Sequence, residues 1–76
     1  MIPISSIPIE QYFEVEIDDI DESSFYVGKA IKDSLTSSSV WQIRKIVEDG
    51  DVVTELYADD STRYNKVWDD RLSYAY

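Results

Sequence analysis

Asp49-Gly50, set between two runs that alternate apolar and polar residues, is the tightest constraint this chain places on its fold. Asp-Gly is a favoured pair for a two-residue type I′ turn, in which both central positions need positive φ and glycine supplies it without steric cost. Such a turn makes an antiparallel hairpin of Val40 to Ala58 and fixes its register. With Asp49 and Gly50 at the centre, Val47 pairs with Val52, Lys45 with Thr54, Ile43 with Leu56 and Trp41 with Ala58 on one face. On the other face Ile46 meets Val53 and Arg44 meets Glu55. Trp41, Ile43, Val47, Val52 and Leu56 then form one apolar surface, and the Arg44–Glu55 pair adds about 0.2–1 kcal/mol across the strands. A slip by one residue would turn that surface to solvent. Trp41 and Gly50 are therefore structural positions.

The rest of the chain reads as more of the same sheet. Phe13, Val15 and Ile17 alternate with Glu14 and Glu16, the period-two signature of a half-buried strand over Tyr12 to Ile17. Phe25 to Ile31 is a second strand with Phe25, Val27, Lys29 and Ile31 on one side and Tyr26 on the other; Gly28 inside it marks a bulge or a close backbone approach. Asp33 through Ser39 is Ser/Thr-rich and reads as a loop. After a turn at Asp59-Asp60-Ser61, Thr62 to Tyr64 begins a third strand of the meander and Asn65-Lys66 is another tight turn. Leu72, Tyr74 and Tyr76 alternate with Ser73 and Ala75, so the segment ends as an aromatic-faced strand. The expected fold is all-β, a small antiparallel meander closing into a barrel or sandwich, with one domain over residues 12–76.

An extended arm precedes it over residues 1–11. Ile2-Pro3-Ile4 and Ile7-Pro8-Ile9 repeat across Ser5-Ser6, and proline biases its predecessor toward extended geometry. Four isoleucines are costly to leave in water. Two readings stand: the arm docks on a neighbouring subunit by strand addition or groove packing, or it folds back on its own core.

Composition narrows the function. Seventy-six residues allow one small module with a modest core. Sixteen Asp and Glu against seven Lys and Arg leave a charge of -9, which repels a phosphate backbone, so direct nucleic-acid binding is not expected. With no Cys and no His, thiolate zinc sites, cysteine nucleophiles and imidazole acid/base chemistry are all missing together. Every apolar run is broken by charge well short of the roughly 18 residues that span a bilayer. A soluble protein without catalytic residues, cofactor, metal or membrane partner is the expectation.

The remaining acid/base candidates are paired carboxylates. Asp69 and Asp70 are adjacent, and neighbours on an extended segment point in opposite directions, so a turn-capping role with Arg71 locking Trp68 is the simpler reading. The acidic run from Asp18 to Glu22 lacks the glycine and spacing of an EF-hand loop. Ten aromatics point to recognition more than catalysis: Trp41 and Trp68 as core or as a sugar-stacking platform, Tyr74 and Tyr76 as edge packing or partner contacts.

Tyr26-Val27-Gly28-Lys29-Ala30, the Ser/Thr-rich loop, Val40-Trp41-Gln42-Ile43-Arg44-Lys45-Ile46, Tyr57-Ala58-Asp59 and Tyr64 through Tyr74 together resemble a small module of tailed-bacteriophage virion proteins. The likeness covers roughly residues 25 to 76. Its distinctive parts are the Trp-x-Ile-x-Lys/Arg-Ile strand and the closing Trp-Asp-Asp-Arg. The chain departs from the pattern in lacking Pro-Gly after Ala30 and in carrying Asp60 where glycine is expected. The resemblance implies a head, neck or tail subunit that contacts other virion proteins and copies of itself, located in the virion and in host cytoplasm before assembly. Ile2, Ile4, Ile7, Ile9, Tyr74 and Tyr76 are the expected contact residues. Two other functions fit the composition: an acidic DNA-mimic inhibitor of a host enzyme, and a carbohydrate-binding module on a fibre or capsid surface.

Overall fold

The computed structural model describes residues 12–76. Ile2, Ile4, Ile7 and Ile9, with the rest of the arm, lie outside the described residues. Four long strands, β1 (Phe13–Asp21), β2 (Ser24–Ile31), β3 (Ser39–Asp49) and β4 (Val52–Tyr57), pair in sequence order as an antiparallel meander. A two-residue strand, β5 (Lys66–Val67), pairs with the start of β3, where Ser39 faces Val67 and Trp41 faces Lys66. Among the described residues the sheet does not close into a barrel or fold over as a sandwich. Closure needs a final strand to pair with β1, and here the C-terminal segment leaves the sheet after β5.

That segment also departs from the expected strands. Thr62 to Tyr64 is irregular, Asn65-Lys66 is no tight turn because Lys66 begins β5, and Trp68–Ser73 is a 3₁₀ helix. The alternation of Leu72, Tyr74 and Tyr76 imitates a strand. Local bonds decide otherwise: the Ser73 hydroxyl donates to the Asp70 carbonyl at 2.7 Å, and the Arg71 guanidinium to the Trp68 carbonyl at 3.2 Å. Both are bonds across three residues, which suit a 3₁₀ turn and no strand.

The β3–β4 hairpin forms, but two residues out of the expected register. Asp49 pairs with Val52, Val47 with Thr54, Lys45 with Leu56 and Arg44 with Tyr57. The central residues are Gly50 and Asp51, and only Gly50 has positive φ, at 59°. One positive φ at the first central position is the pattern of a type II′ turn, which asks for glycine first and tolerates Asp second. A shift of two keeps every side chain on its face. Trp41 and Ile43 are accordingly buried, while Leu56 is 36% exposed at the sheet's edge. Arg44 and Glu55 still form an ion pair, now diagonally across the strands.

No heavy atom lies within 4 Å of a side chain built at Gly50, so its requirement is conformational alone. Gly50→Val should therefore cost about 1–2 kcal/mol through the left-handed backbone. Urea denaturation measures this; a variant as stable as the parent would show that the turn relaxes to another type.

The pairings divide the sheet into two faces with different cover. One carries Tyr26, Gly28 and Ala30 from β2 and Trp41 and Ile43 from β3, and Trp68 packs onto it. Trp41, Ile43, Ala30 and Ala58 are fully buried there, and Trp41 Nε1 donates to the Leu35 carbonyl at 2.9 Å, so its one polar atom is satisfied. The Trp41 and Trp68 rings lie 6.0 Å apart at 39°. Gly28 explains how they fit. Its position is a close approach and not a bulge, since its pairing with Glu16 and Ile43 is regular and a Cβ there would sit 2.7 Å from Trp68 Cζ3. The β2 face expected to hold the larger apolar residues is thus the opposite of the one that is buried.

Candidate interaction surface

The second face of the sheet is open over most of its length; among the described residues the Thr62–Tyr64 segment meets it at one end, where Gln42 Nε2 donates to the Thr62 carbonyl at 2.8 Å. By register, Phe13–Ile31, Val15–Lys29 and Ile17–Val27 are cross-strand pairs on it, followed by Phe25–Ile46 and Glu48–Val53. Val15 is 48% exposed, Ile17 62%, Ile31 70% and Val53 64%. On β1 the usual pattern is inverted. Its charged residues Glu14, Glu16 and Asp18 lie on the covered side and are half-buried, whereas its valine and isoleucine face water. Scattered surface aliphatics are ordinary, but a contiguous apolar row rimmed by charge marks an interaction site. Lys29 and Arg44 stand within the face on the two central strands, and Asp19, Glu48 and Glu55 lie on it beside the aliphatics.

At the end of this face where β1 begins and β2 stops, Phe13, Ile31, Val40 and Tyr64 line a groove of about 460 Å³. Lys29 Nζ sits 4.2 Å above the Phe13 ring and frames one side of the row. A second, acidic groove of about 610 Å³ runs between Glu55, Tyr57, Asp59 and Tyr76 at the opposite edge.

Trp41, Trp68 and Arg71, three of the four expected structural residues, meet on the covered face, while Gly50 lies at the hairpin turn. Arg71 Nε donates to Asp18 Oδ2 at 2.9 Å, its guanidinium carbon lies 4.7 Å from the Trp68 ring, and its Nη1 binds the Trp68 carbonyl. One arginine thereby ties the 3₁₀ helix to β1 across the sheet. The carboxylates of Asp69 and Asp70 are exposed and do not face one another's partners; what the segment contributes is backbone, with Asp69 N–H donating to the Thr36 carbonyl at 3.1 Å. Tyr74 and Tyr76 are half-buried against the core. The Tyr74 hydroxyl accepts from Val67 N–H at 2.8 Å, and Tyr76 donates to the Arg71 carbonyl at 2.8 Å while its ring meets Tyr26 at 5.2 Å. Asp59, with φ of 52°, clasps the tail from the other side: its N–H donates to the Ala75 carbonyl at 2.7 Å and its carboxylate accepts from Ala75 N–H at 3.0 Å. Asp60, also left-handed at 55°, sits where the resemblance leads one to expect glycine.

At the β1–β2 turn the Asp21 carboxylate accepts from Ser23 N–H at 2.8 Å and from the Ser24 hydroxyl at 2.9 Å, and these bonds, the backbone one first, hold its pKa below the ordinary carboxylate range. Asp21 is therefore spent on the turn. Among the described residues no three carboxylates converge as metal ligands, and no helix is long and apolar enough to cross a membrane.

Tyr76 gives the clasp a pH dependence. Burial, then the neighbouring Tyr26, Tyr74 and Asp59, push its hydroxyl well above the usual phenol value. A folded pKa above the unfolded one means that its contribution to stability is complete below about pH 10 and is lost as pH rises through the folded value. Tyr76→Phe should lose about 1 kcal/mol at neutral pH. Its melting temperature should also fall less steeply than the parent's as pH rises from about 10 to 12. Equal alkaline slopes in thermal melts would count against the hydroxyl's role.

The residues that sequence reasoning missed are the exposed Ile17 and Val53 and the half-buried Val27 and Ile46 as one surface. Comparison with protein-family models, with curated proteins and with solved structures finds no match for this chain.

Proposed function

We propose that the protein is a structural subunit of a tailed-phage virion, working through contacts with copies of itself and with other particle proteins. One observation carries this reading: a sheet of four long strands that the described residues cover fully on one side, with a row of aliphatics across most of the other. A small domain holds such a face in water at a cost, and a repeating assembly removes that cost by covering it in every copy. The phage placement comes from the Trp-x-Ile-x-Lys/Arg-Ile and Trp-Asp-Asp-Arg segments, which the fold uses for the core tryptophans and the clamp. An acidic mimic of DNA would instead present its carboxylates as a continuous stripe; here Glu14, Glu16 and Asp18 are half-buried on the covered side. Mass spectrometry of purified particles tests the proposal. The protein should be present in fixed ratio to the other virion proteins, and its absence from particles made in cells that express it would refute the reading.

A further inference from the structure

We propose that the open face of the sheet is the docking site for residues 2–9 of a second copy of this chain. The inference rests on the assembly reading above and names what covers the face.

Chemistry favours this occupant. Copies that each carry a charge of -9 repel one another, yet residues 1–9 contain no charged side chain and four isoleucines, the one stretch that adds apolar contact without adding repulsion. Extended, nine residues reach about 30 Å, the length of a nine-residue strand such as β1. The arm is thus long enough to run from the Phe13–Ile31 groove past Ile17.

The prolines decide how it binds. Backbone N–H groups of an extended chain alternate sides, and Pro3 and Pro8 are an odd number of residues apart. Whichever side of the arm met a sheet edge, one proline would interrupt the ladder. Packing of side chains onto the face needs no such ladder, and the prolines lower its ordering cost.

The arm joins β1 at the end of the sheet that holds the Phe13–Ile31 groove, where Lys32 N–H donates to the Tyr12 carbonyl at 2.7 Å and Tyr12 stands in a turn. An arm of about 30 Å starting at that end can reach a neighbour's face as well as its own, and only exchange between copies supplies the contact that the assembly reading needs.

The absence of cysteine makes the test direct. Purified full-length Ile4→Cys protein is mixed with Ile17→Cys protein and, separately, with Asp69→Cys protein as a control, and each mixture is mildly oxidised. The Ile4–Ile17 mixed disulfide should dominate over the control, and Ile7→Asp in the Ile4→Cys copy should cut its yield about tenfold, the scale expected for losing one docked isoleucine. An Ile4→Cys/Ile17→Cys double variant that closes on itself in dilute solution, with no product between chains, would overturn the proposal in favour of the chain's own arm. Equal yields with the control would overturn it outright. Because the readout uses purified protein, it is separate from the particle measurement: arm docking without incorporation refutes the virion reading alone.

Discussion

Trp41→Ala should leave the domain unfolded or at the edge of unfolding at room temperature. The side chain is fully buried between β2 and the C-terminal helix, stacks with Trp68 and satisfies the Leu35 carbonyl. Truncating a buried tryptophan typically costs about 3–5 kcal/mol, against a total of about 5–15 kcal/mol for a whole domain. In a chain whose core holds so few large side chains, the cavity has no neighbour able to fill it. Circular dichroism and urea denaturation give the readout. A cooperative transition within about 1 kcal/mol of the parent would mean that Trp68 and Tyr26 close over the gap, and that the core is softer than its packing implies.

Gly28→Val should also destabilise the domain, for the opposite reason. In an ordinary strand, replacing glycine recovers about 0.5–1 kcal/mol of backbone entropy. Here the first added carbon would lie 2.7 Å from Trp68 Cζ3 and 3.1 Å from Trp41 Cε3, and two ring systems must move to admit it. Overpacking of this kind costs about 1–3 kcal/mol, so the clash outweighs the entropy. Gly28→Ala should show a smaller loss, and both variants should alter the near-ultraviolet signal that the paired tryptophans produce. An alanine variant more stable than the parent would show that the Trp68 helix lifts freely, which its Arg71–Asp18 tie argues against.

These two residues also show what could be read from the sequence and what could not. Alternation located β1, β2 and the β3–β4 hairpin, because each is a local pattern. The turn's chemistry was local too, but Asp49-Gly50 and Gly50-Asp51 are both acceptable centres, and because a register shift of two keeps each side chain on its face, alternation does not choose between them. The choice of buried face on β2 was not legible. Counting apolar side chains favours Phe25, Val27 and Ile31, yet the core is built where Ser24, Gly28 and Ala30 leave room for tryptophans contributed from 13 and 40 residues further along, counting from Gly28. Small residues signal a core only once their large partners are known. The C-terminal alternation misled for a related reason: Tyr74 and Tyr76 face the core through a clasp with Asp59, a contact that no short-range period encodes.

The order of the strands has a kinetic consequence. Each pairing of the meander closes a short connection, residues 22–23, 32–38 and 50–51 in turn. The clamp that finishes the covered face joins residues 53 apart, Arg71 and Asp18. Loop closure grows costlier by about 0.6 kcal/mol for each doubling of length, so the hairpins should form before the clamp. The sheet, and with it the row from Val15 to Val53, then exists before the tryptophans are sealed. Hydrogen exchange should find amides of the Trp68 helix opening more readily than those at the centre of β2 and β3. The open face is in this sense the earlier-made and longer-lived side of the molecule.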